Sequence, residues 1–315
     1  MERIVDISSD DLQLSLHRGF LLVSKDDAEV GRIALDDIHA VIVHARITWS
    51  STIVAALAER GAPIVFCGGN HMPTAVTLPI EGHHAQGARI QAQWNASRPL
   101  AKQLWRRVVS AKIVMQGSLL EARAIDGAAA FPHMAARVKS GDPDNLEAQA
   151  ARRYWPLLMG KDFRRDRDMD GANALLNYGY AIIRASCARA IVAAGLHPTI
   201  GIHHANRGNA FALADDLVEP FRPLVDALVA GLVAQGVHDL SPAIKRQFAR
   251  LIAFDLRYGG ETSPVSVVTQ KLAQAVAVCF ETGRIDLALF QCPTPIEWAG
   301  IGQADDIASD VASPA

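Results

Sequence analysis

The hydrophobic period of this chain changes once, near residue 80, and no other feature limits its fold so much. Before that point the period is two. Leu12, Leu14 and Leu16 alternate with Gln13 and Ser15, and residues 20–23, 33–35 and 40–43 are short β-rich runs. His17-Arg18-Gly19 and Lys25-Asp26-Asp27 read as the turns between them. Ser50 or Ser51 is placed to cap one short helix over residues 52–60, which stops at Gly61, and residues 63–66 return to strand. Residues 79–93 carry Pro79, Gly82, His83, His84 and Gly87 with little periodicity, and read as a connection. Beyond it the period is helical. Leu104, Trp105, Val108, Val109, Ile113, Leu119 and Leu120 recur at three to four, with Lys102, Arg106, Arg107 and Lys112 between them. Leu224, Val225, Leu228, Val229 and Leu232 repeat the pattern. The expectation is an α+β protein. A small strand-rich domain over residues 1–80 precedes an all-helical domain over 81–290, of which 81–93 form a linker. A tail follows over 291–315, frayed from Gln303 onward.

Half of the 315 residues are hydrophobic and 20% are charged, enough apolar material for a packed core and too much for a disordered chain. The 31 basic and 33 acidic side chains nearly cancel, but not evenly along the chain. Residues 1–80 hold 6 basic and 10 acidic groups, whereas residues 81–140 hold 9 and 3, so the middle is the part suited to a polyanion. Cys67, Cys187, Cys279 and Cys292 form no C-x-x-C pair and no disulfide scaffold, which suits a reducing cytoplasm. Residues 1–6 lack the basic-then-apolar pattern of a signal peptide. The longest uncharged stretch, residues 61–80, carries three glycines and three prolines and is no membrane helix.

Three segments carry residues fit for chemistry. Residues 140–155 are a turn feeding a helix, with Glu147 in its first turn and Arg152, Arg153, Tyr154 and Trp155 after it. Asp144-x-x-Glu147 matches a capping box, so Glu147 reads either as a cap or as a catalytic carboxylate. The arginines and aromatics suit phosphates and bases, or a solvated face over a core Trp155. Residues 161–170 mix four basic and four acidic side chains; Arg164 and Arg165 there are phosphate-contact candidates beside the plainer reading of a self-compensating loop. The third segment places His203 and His204 after a Gly-Pro-punctuated turn, then Asp216 and Glu219, with Arg222 just beyond. Asp216 and Glu219, three apart, share a helix face, and a loop can bring His204 to them; the same pair also fits a cap ahead of Pro220 and Pro223. One imidazole with two or three carboxylates suits Mg²⁺ or Mn²⁺, and the lack of clustered cysteines argues against structural zinc.

Taken in order, these segments resemble a known family. Ser140-Gly-Asp-Pro-Asp-Asn-Leu-Glu147, Leu176-Asn-Tyr-Gly-Tyr180, Gly195-Leu-His-Pro-Thr-Ile-Gly-Ile-His-His204 and Asp215-Asp216-Leu-Val-Glu219-Pro-Phe-Arg222 look like the successive motifs of the CRISPR-associated integrase, Cas protein one. The length and wording look most like the type II branch. The resemblance implies two domains, a DNA integrase and endonuclease activity in adaptive antiviral defence, and a catalytic ion, Mg²⁺ or Mn²⁺, on Glu147, His204 and Glu219. Asp216 falls where the family often has an assisting acid. Alignment on Gly201 favours His204 over His203 as the ligand. The implied reaction is attack by the 3′-hydroxyl of a short DNA duplex on a phosphodiester at the edge of a CRISPR repeat. Arg152, Arg153, Arg164, Arg165, Arg222 and Lys245 are the candidate contacts to DNA phosphates. The implied partners are a second copy of the chain paired through residues 1–80, Cas protein two and the type II interference nuclease. Two other readings share the residues: a stand-alone nuclease of branched DNA, and a non-catalytic DNA-binding scaffold in which Glu147 and Glu219 only cap helices.

Overall fold

The structure is a computed structural model and describes residues 3–7, 9–68, 73–80, 82–166, 168–204, 206 and 208–302. The chain divides into two compact units, one running to Pro79 and the other spanning Ile80–Ile301. The tail segment expected to fray, residues 303–315, lies outside the described residues, as do Ala205 and Arg167 of the segments singled out above.

The first unit is strand-rich, as its period predicts. Its strands are β1 (Arg3–Ile7), β2 (Leu12–His17), β3 (Phe20–Lys25), β4 (Ala28–Ala34), β5 (Ile38–Val43) and β6 (Ile47–Thr48). Helix α1 (Ser51–Glu59), β7 (Ile64–Cys67) and β8 (Pro73–Thr77) complete it. One sheet has the order β4-β3-β2-β6, the other β1-β5-β7-β8. The β2–β3 connection, Arg18-Gly19, and the β3–β4 connection, Asp26-Asp27, each place both residues at positive φ. That is the turn that matches the twist of an antiparallel pair. In the second sheet β5 runs parallel to β1 and β7 and is buried along its whole length. A strand covered on both faces reads as a continuous apolar run. Leu14, Leu21, Val41 and Ile64 from the two sheets, with Ile53 and Leu57 of α1, form the core.

The second unit holds α2 (Gln86–Trp94), α3 (Arg98–Ala122), α4 (Ala130–Ala136), α5 (Leu146–Met159), α6 (Ala172–Ala193) and α7 (Ala212–Leu217). After these come α8 (Arg222–Ala234), α9 (Pro242–Arg250), β9 (Asp255–Tyr258), β10 (Glu261–Pro264), α10 (Val265–Thr282) and α11 (Pro295–Gly300). The long α3 packs on α4, α5, α8 and the turn Glu219–Phe221, and α6 packs on α8 and α10.

Three expectations need correcting here. The unit is mostly, not wholly, helical: β9 and β10 form a hairpin closed by Gly259 and Gly260, both at positive φ. Its four-residue strands are too short to show a period. The expected linker contains α2, whose buried face is Arg89 and Gln93 rather than apolar residues, so its helical period was invisible. The expected tail contains α11, closed by a Thr294–Glu297 capping box, with Trp298 buried and its indole Nε1 donating to Ser118 Oγ at 2.9 Å.

Candidate metal centre

The site is built around α3. Trp105, Val108, Val109 and Ile113 are buried on one face of that helix, and Lys112 falls on the same face, one helical step from Val108. A lysine there must run its stem through the core and find anions for its head. It finds two. Its Nζ donates to Glu147 Oε1 at 2.7 Å and contacts Glu219 Oε2. Its side chain is 11% exposed. Burial works against its charge, but Glu219 and Glu147 outweigh that and hold its pKa above that of an ordinary lysine.

Glu147 reaches this point because other groups do the capping. At the start of α5 Asp142 accepts from the amides of Leu146 and Glu147 at 2.9 and 3.0 Å, and Asn145 accepts from Ala148. Asp144 pairs with Lys139 instead. The Asp144–Glu147 capping box does not form, and Glu147 is left to turn toward Lys112. Glu219 opens the turn before α8 and is 3% exposed. Its Oε1 meets Arg222 Nε at 2.9 Å. Burial raises its pKa, but Arg222 and Lys112 more than reverse this and leave it below the usual glutamate value. Glu219 Oε2 thus faces Lys112, and Arg222 Nε faces Glu219 Oε1, each as an ion pair.

The histidine loop is pinned by Asp216, which is fully buried and does not cap its own helix either. It accepts from the amides of Ile202, His203 and His204, and His204 Nδ1 lies 2.7 Å from Asp216 Oδ1. A β-carbon on Gly201 would stand 2.5 Å from the His204 carbonyl oxygen and 2.9 Å from Asp216 Oδ2, so only glycine lets the loop close this tightly. Gln93 of α2 clamps the other end, accepting from His197 N at 2.8 Å and donating to the carbonyls of His197 and Ile200. An ionised carboxylate only accepts, so the His204 proton sits on Nδ1 and, in the neutral ring, the lone pair sits on Nε2. The bond to Asp216 raises the pKa of His204. His203 is exposed and lies flat on Trp105, ring centres 4.2 Å apart and 2° from parallel. Trp105 also meets His204 edge-on at 5.7 Å.

Beneath Arg222 lies a second buried acid. Asp226, 2% exposed, accepts from Tyr154 Oη at 2.9 Å and from Tyr180 Oη. Arg222 stacks over the Tyr180 ring at 4.6 Å. Burial pushes Asp226 up to about 6, and both phenols well above their ordinary value.

The structure thus gathers Glu147 and Glu219 at one ammonium and fixes His204 by Asp216, with Glu219 and His204 close enough to shift each other's titration. Among the described residues no three His, Cys, Asp or Glu side chains converge closely enough to hold an ion as they stand. The donor set still fits a hard divalent cation: two carboxylates already sharing a cation, and an imidazole oriented by a third. The expected phosphate contacts are scattered. Arg152, Arg153 and Arg164 are exposed. Arg165 binds Asn173, Asn177 and the Asp166 carbonyl, Arg222 is engaged as described, and Lys245 is 3% exposed over the Tyr178 ring. Unforeseen in the sequence are Lys112, Trp105, the Tyr154–Asp226–Tyr180 cluster, and a cleft of about 500 Å³ lined by Arg106, Arg137, Lys139 and Asp144. For Lys112 a signal existed: a lysine in register with the apolar stripe of α3.

A strand-rich unit and a mostly helical unit bearing a Glu–His–Glu set define the class into which this chain falls. Residues 5–247 match the model of the family described as CRISPR associated protein Cas1, and the chain belongs to that family. It is 38% identical over 248 residues to a CRISPR-associated endonuclease Cas1 of Neisseria meningitidis serogroup C, covering 78% of this chain and 81% of that one. In fold it is similar to a casposase bound to integration product, with a TM-score of 0.77 and 19% identity over 98% of this chain and 96% of that one. It is also similar to a chain of a Cas6-RT-Cas1–Cas2 complex, with a TM-score of 0.70 and 18% identity over 90% of this chain and 35% of that one.

Proposed function

We propose that this chain is a metal-dependent DNA integrase and endonuclease that inserts short duplexes as new spacers at CRISPR repeats. The observation that carries the reading is the meeting of Glu147 and Glu219, remote in sequence, at a single cation. Glu147, Glu219 and Nε2 of His204 would hold Mg²⁺ or Mn²⁺. When bound, such an ion stabilises the charge that builds on the phosphate and on the departing 3′ oxygen. The chain's own residues do the rest. Asp216 keeps the proton on Nδ1 and so keeps Nε2 available. Trp105 and Gly201 fix the loop. Arg222 holds Glu219 ionised. In the reaction the 3′ oxygen of the incoming strand forms a bond to phosphorus as the bond to the old 3′ oxygen breaks. The number of phosphodiesters is conserved and no ATP is needed.

The partners are DNA duplexes with a free 3′ end, the CRISPR repeat, Cas protein two and the type II interference nuclease. Phosphates would meet the exposed Arg152, Arg153 and Arg164 and the Arg106–Arg137–Lys139 cleft. A homodimer through the strand-rich unit is supported by edge strand β4, where Val30 is 43% exposed, and by Phe20 of the neighbouring β3 at 39%. No helix among the described residues is long and apolar enough to cross a membrane; the cytoplasm, where the DNA lies, is the proposed location.

The test is strand transfer of a short duplex into a supercoiled plasmid bearing a repeat, with Cas protein two, with and without Mg²⁺ or Mn²⁺. Insertion at the repeat boundary that needs the ion and vanishes in Glu147→Ala is expected. General nicking without insertion would instead indicate a stand-alone nuclease. Full activity in Glu147→Ala would leave only the scaffold.

A further inference from the structure

Lys112 has no part in the proposed reaction, yet it occupies the centre of the site. Its ammonium touches one oxygen of each carboxylate that would hold the ion. Two cations cannot share those oxygens at contact distance without strong repulsion. The charges around it nearly balance: Lys112 and Arg222 offset Glu147 and Glu219, and Asp216 behind a neutral His204 adds one negative charge. A divalent ion added to this set leaves a net positive charge of about one, which a DNA phosphate would neutralise. A lysine suits an exchangeable role, because it is a point charge on a flexible stem rather than a rigid fork.

We propose that Lys112 is the resident cation of this site. It holds Glu147 and Glu219 together while no divalent ion is bound, competes with that ion for them, and is released toward DNA phosphate when ion and DNA bind together. Lys112 is thus a positioning residue that makes metal binding depend on DNA, and the free protein is held back from indiscriminate cleavage. The inference rests on the metal reading proposed above.

The experiment is a Mn²⁺ titration of the full chain, followed by the resonance of free Mn²⁺, with and without a short duplex bearing 3′-hydroxyls. In the wild type the duplex should tighten Mn²⁺ binding. Lys112→Met should bind Mn²⁺ at least about tenfold more tightly without DNA, the low end of couplings between close charges, and should lose most of the response to DNA. Lys112→Arg should stay as weak as the wild type. Lys112→Gln replaces the Met variant if that one does not fold, and folding of either only with Mn²⁺ supports the proposal. If the Lys112 variants bind Mn²⁺ no more tightly while Glu147→Gln weakens binding, Lys112 is not the competitor and the metal reading stands. If Glu147→Gln changes nothing, the metal reading fails and takes the proposal with it. The wild type alone also decides: a Mn²⁺ affinity that the duplex leaves unchanged overturns the coupling.

Discussion

Glu219 and Asp226 lie on one stretch of chain, are almost equally buried, and are pushed in opposite directions. Glu219, 3% exposed, is held below its ordinary pKa because Arg222 and Lys112 face it. Asp226, 2% exposed, is raised to about 6 by burial, which the hydrogen bonds from the neutral hydroxyls of Tyr180 and Tyr154 offset only in part. Burial works the same way on both; the charge of the neighbours decides the outcome. The first arrangement keeps a carboxylate ionised and ready for a stronger cation. The second places a carboxyl group near its titration point in a network that anchors α5, α6 and α8 to one another. Arg222 joins them, touching Glu219 on one side and stacking on Tyr180 on the other.

The largest effect is expected where the cations lose their acid. Glu219→Gln leaves Arg222 facing a neutral amide inside the protein and Lys112 with Glu147 alone. Removing one partner of a buried pair costs about 3–5 kcal/mol, read as a fall in chemical-denaturation stability at neutral pH. Strand transfer should fall by more than the roughly hundredfold that loss of a supporting residue costs. Unchanged stability would mean that the ion pairs around Glu219 contribute nothing.

Asp216→Asn is expected next. It keeps the shape and removes the anion behind His204. Metal-dependent strand transfer should drop by about 10–100-fold. The pH profile gives a separate reading. In the wild type His204 is raised above its ordinary value and must lose its proton before Nε2 can bind an ion, so activity should fall as pH drops through that raised value. In Asp216→Asn the acid limb should move to lower pH. For stability the sign is the reverse: the His204–Asp216 pair stabilises most when His204 is protonated, and that contribution is lost as pH rises through the folded-state value.

The difference between the two acids also marks what could be read in the sequence. The strand-rich unit was legible because its alternation and turns are local. Glu147, His204 and Glu219 were legible as motif residues, but whether the glutamates capped helices was not. That was settled by Asp142 and Asn145, which take the amides, and by Asp216, which takes the histidine loop. Lys112 was hidden by reading the basic residues of α3 as lying between its apolar ones, though its register is that of Val108. Helix α2 was hidden because Arg89 and Gln93 form its buried face, and the Arg89 guanidinium is satisfied by groups far along the chain, Ala194, Gln274 and Glu281. Asp226 stood in plain view as a lone acid among Leu224, Val225, Leu228 and Val229. Its partners come from other helices, and no local pattern names them.

The smallest effect sharpens the comparison most, because at Asp226 burial outweighs the cations that prevail at Glu219. With a folded-state pKa of about 6 against 3.8 for an ordinary aspartate, Asp226 holds a proton in the folded state that the unfolded chain gives up between those values. Stability contributed by this group is therefore lost as pH rises through that window, by at most about 3 kcal/mol at 1.4 kcal/mol per unit. Asp226→Asn removes the titration while leaving an oxygen for the two phenols. Its amide N–H groups gain no partner there, at a cost of about 1–3 kcal/mol, so the change in stability at neutral pH should be small. The slope is the cleaner quantity. Denaturation midpoints measured from pH 4 to 7 should show the variant gaining on the wild type as pH rises, with most of the gain complete just above pH 6. A parallel offset across the whole range would mean that Asp226 is ionised throughout, and that the tyrosines, like Arg222 and Lys112 at Glu219, can hold a buried charge.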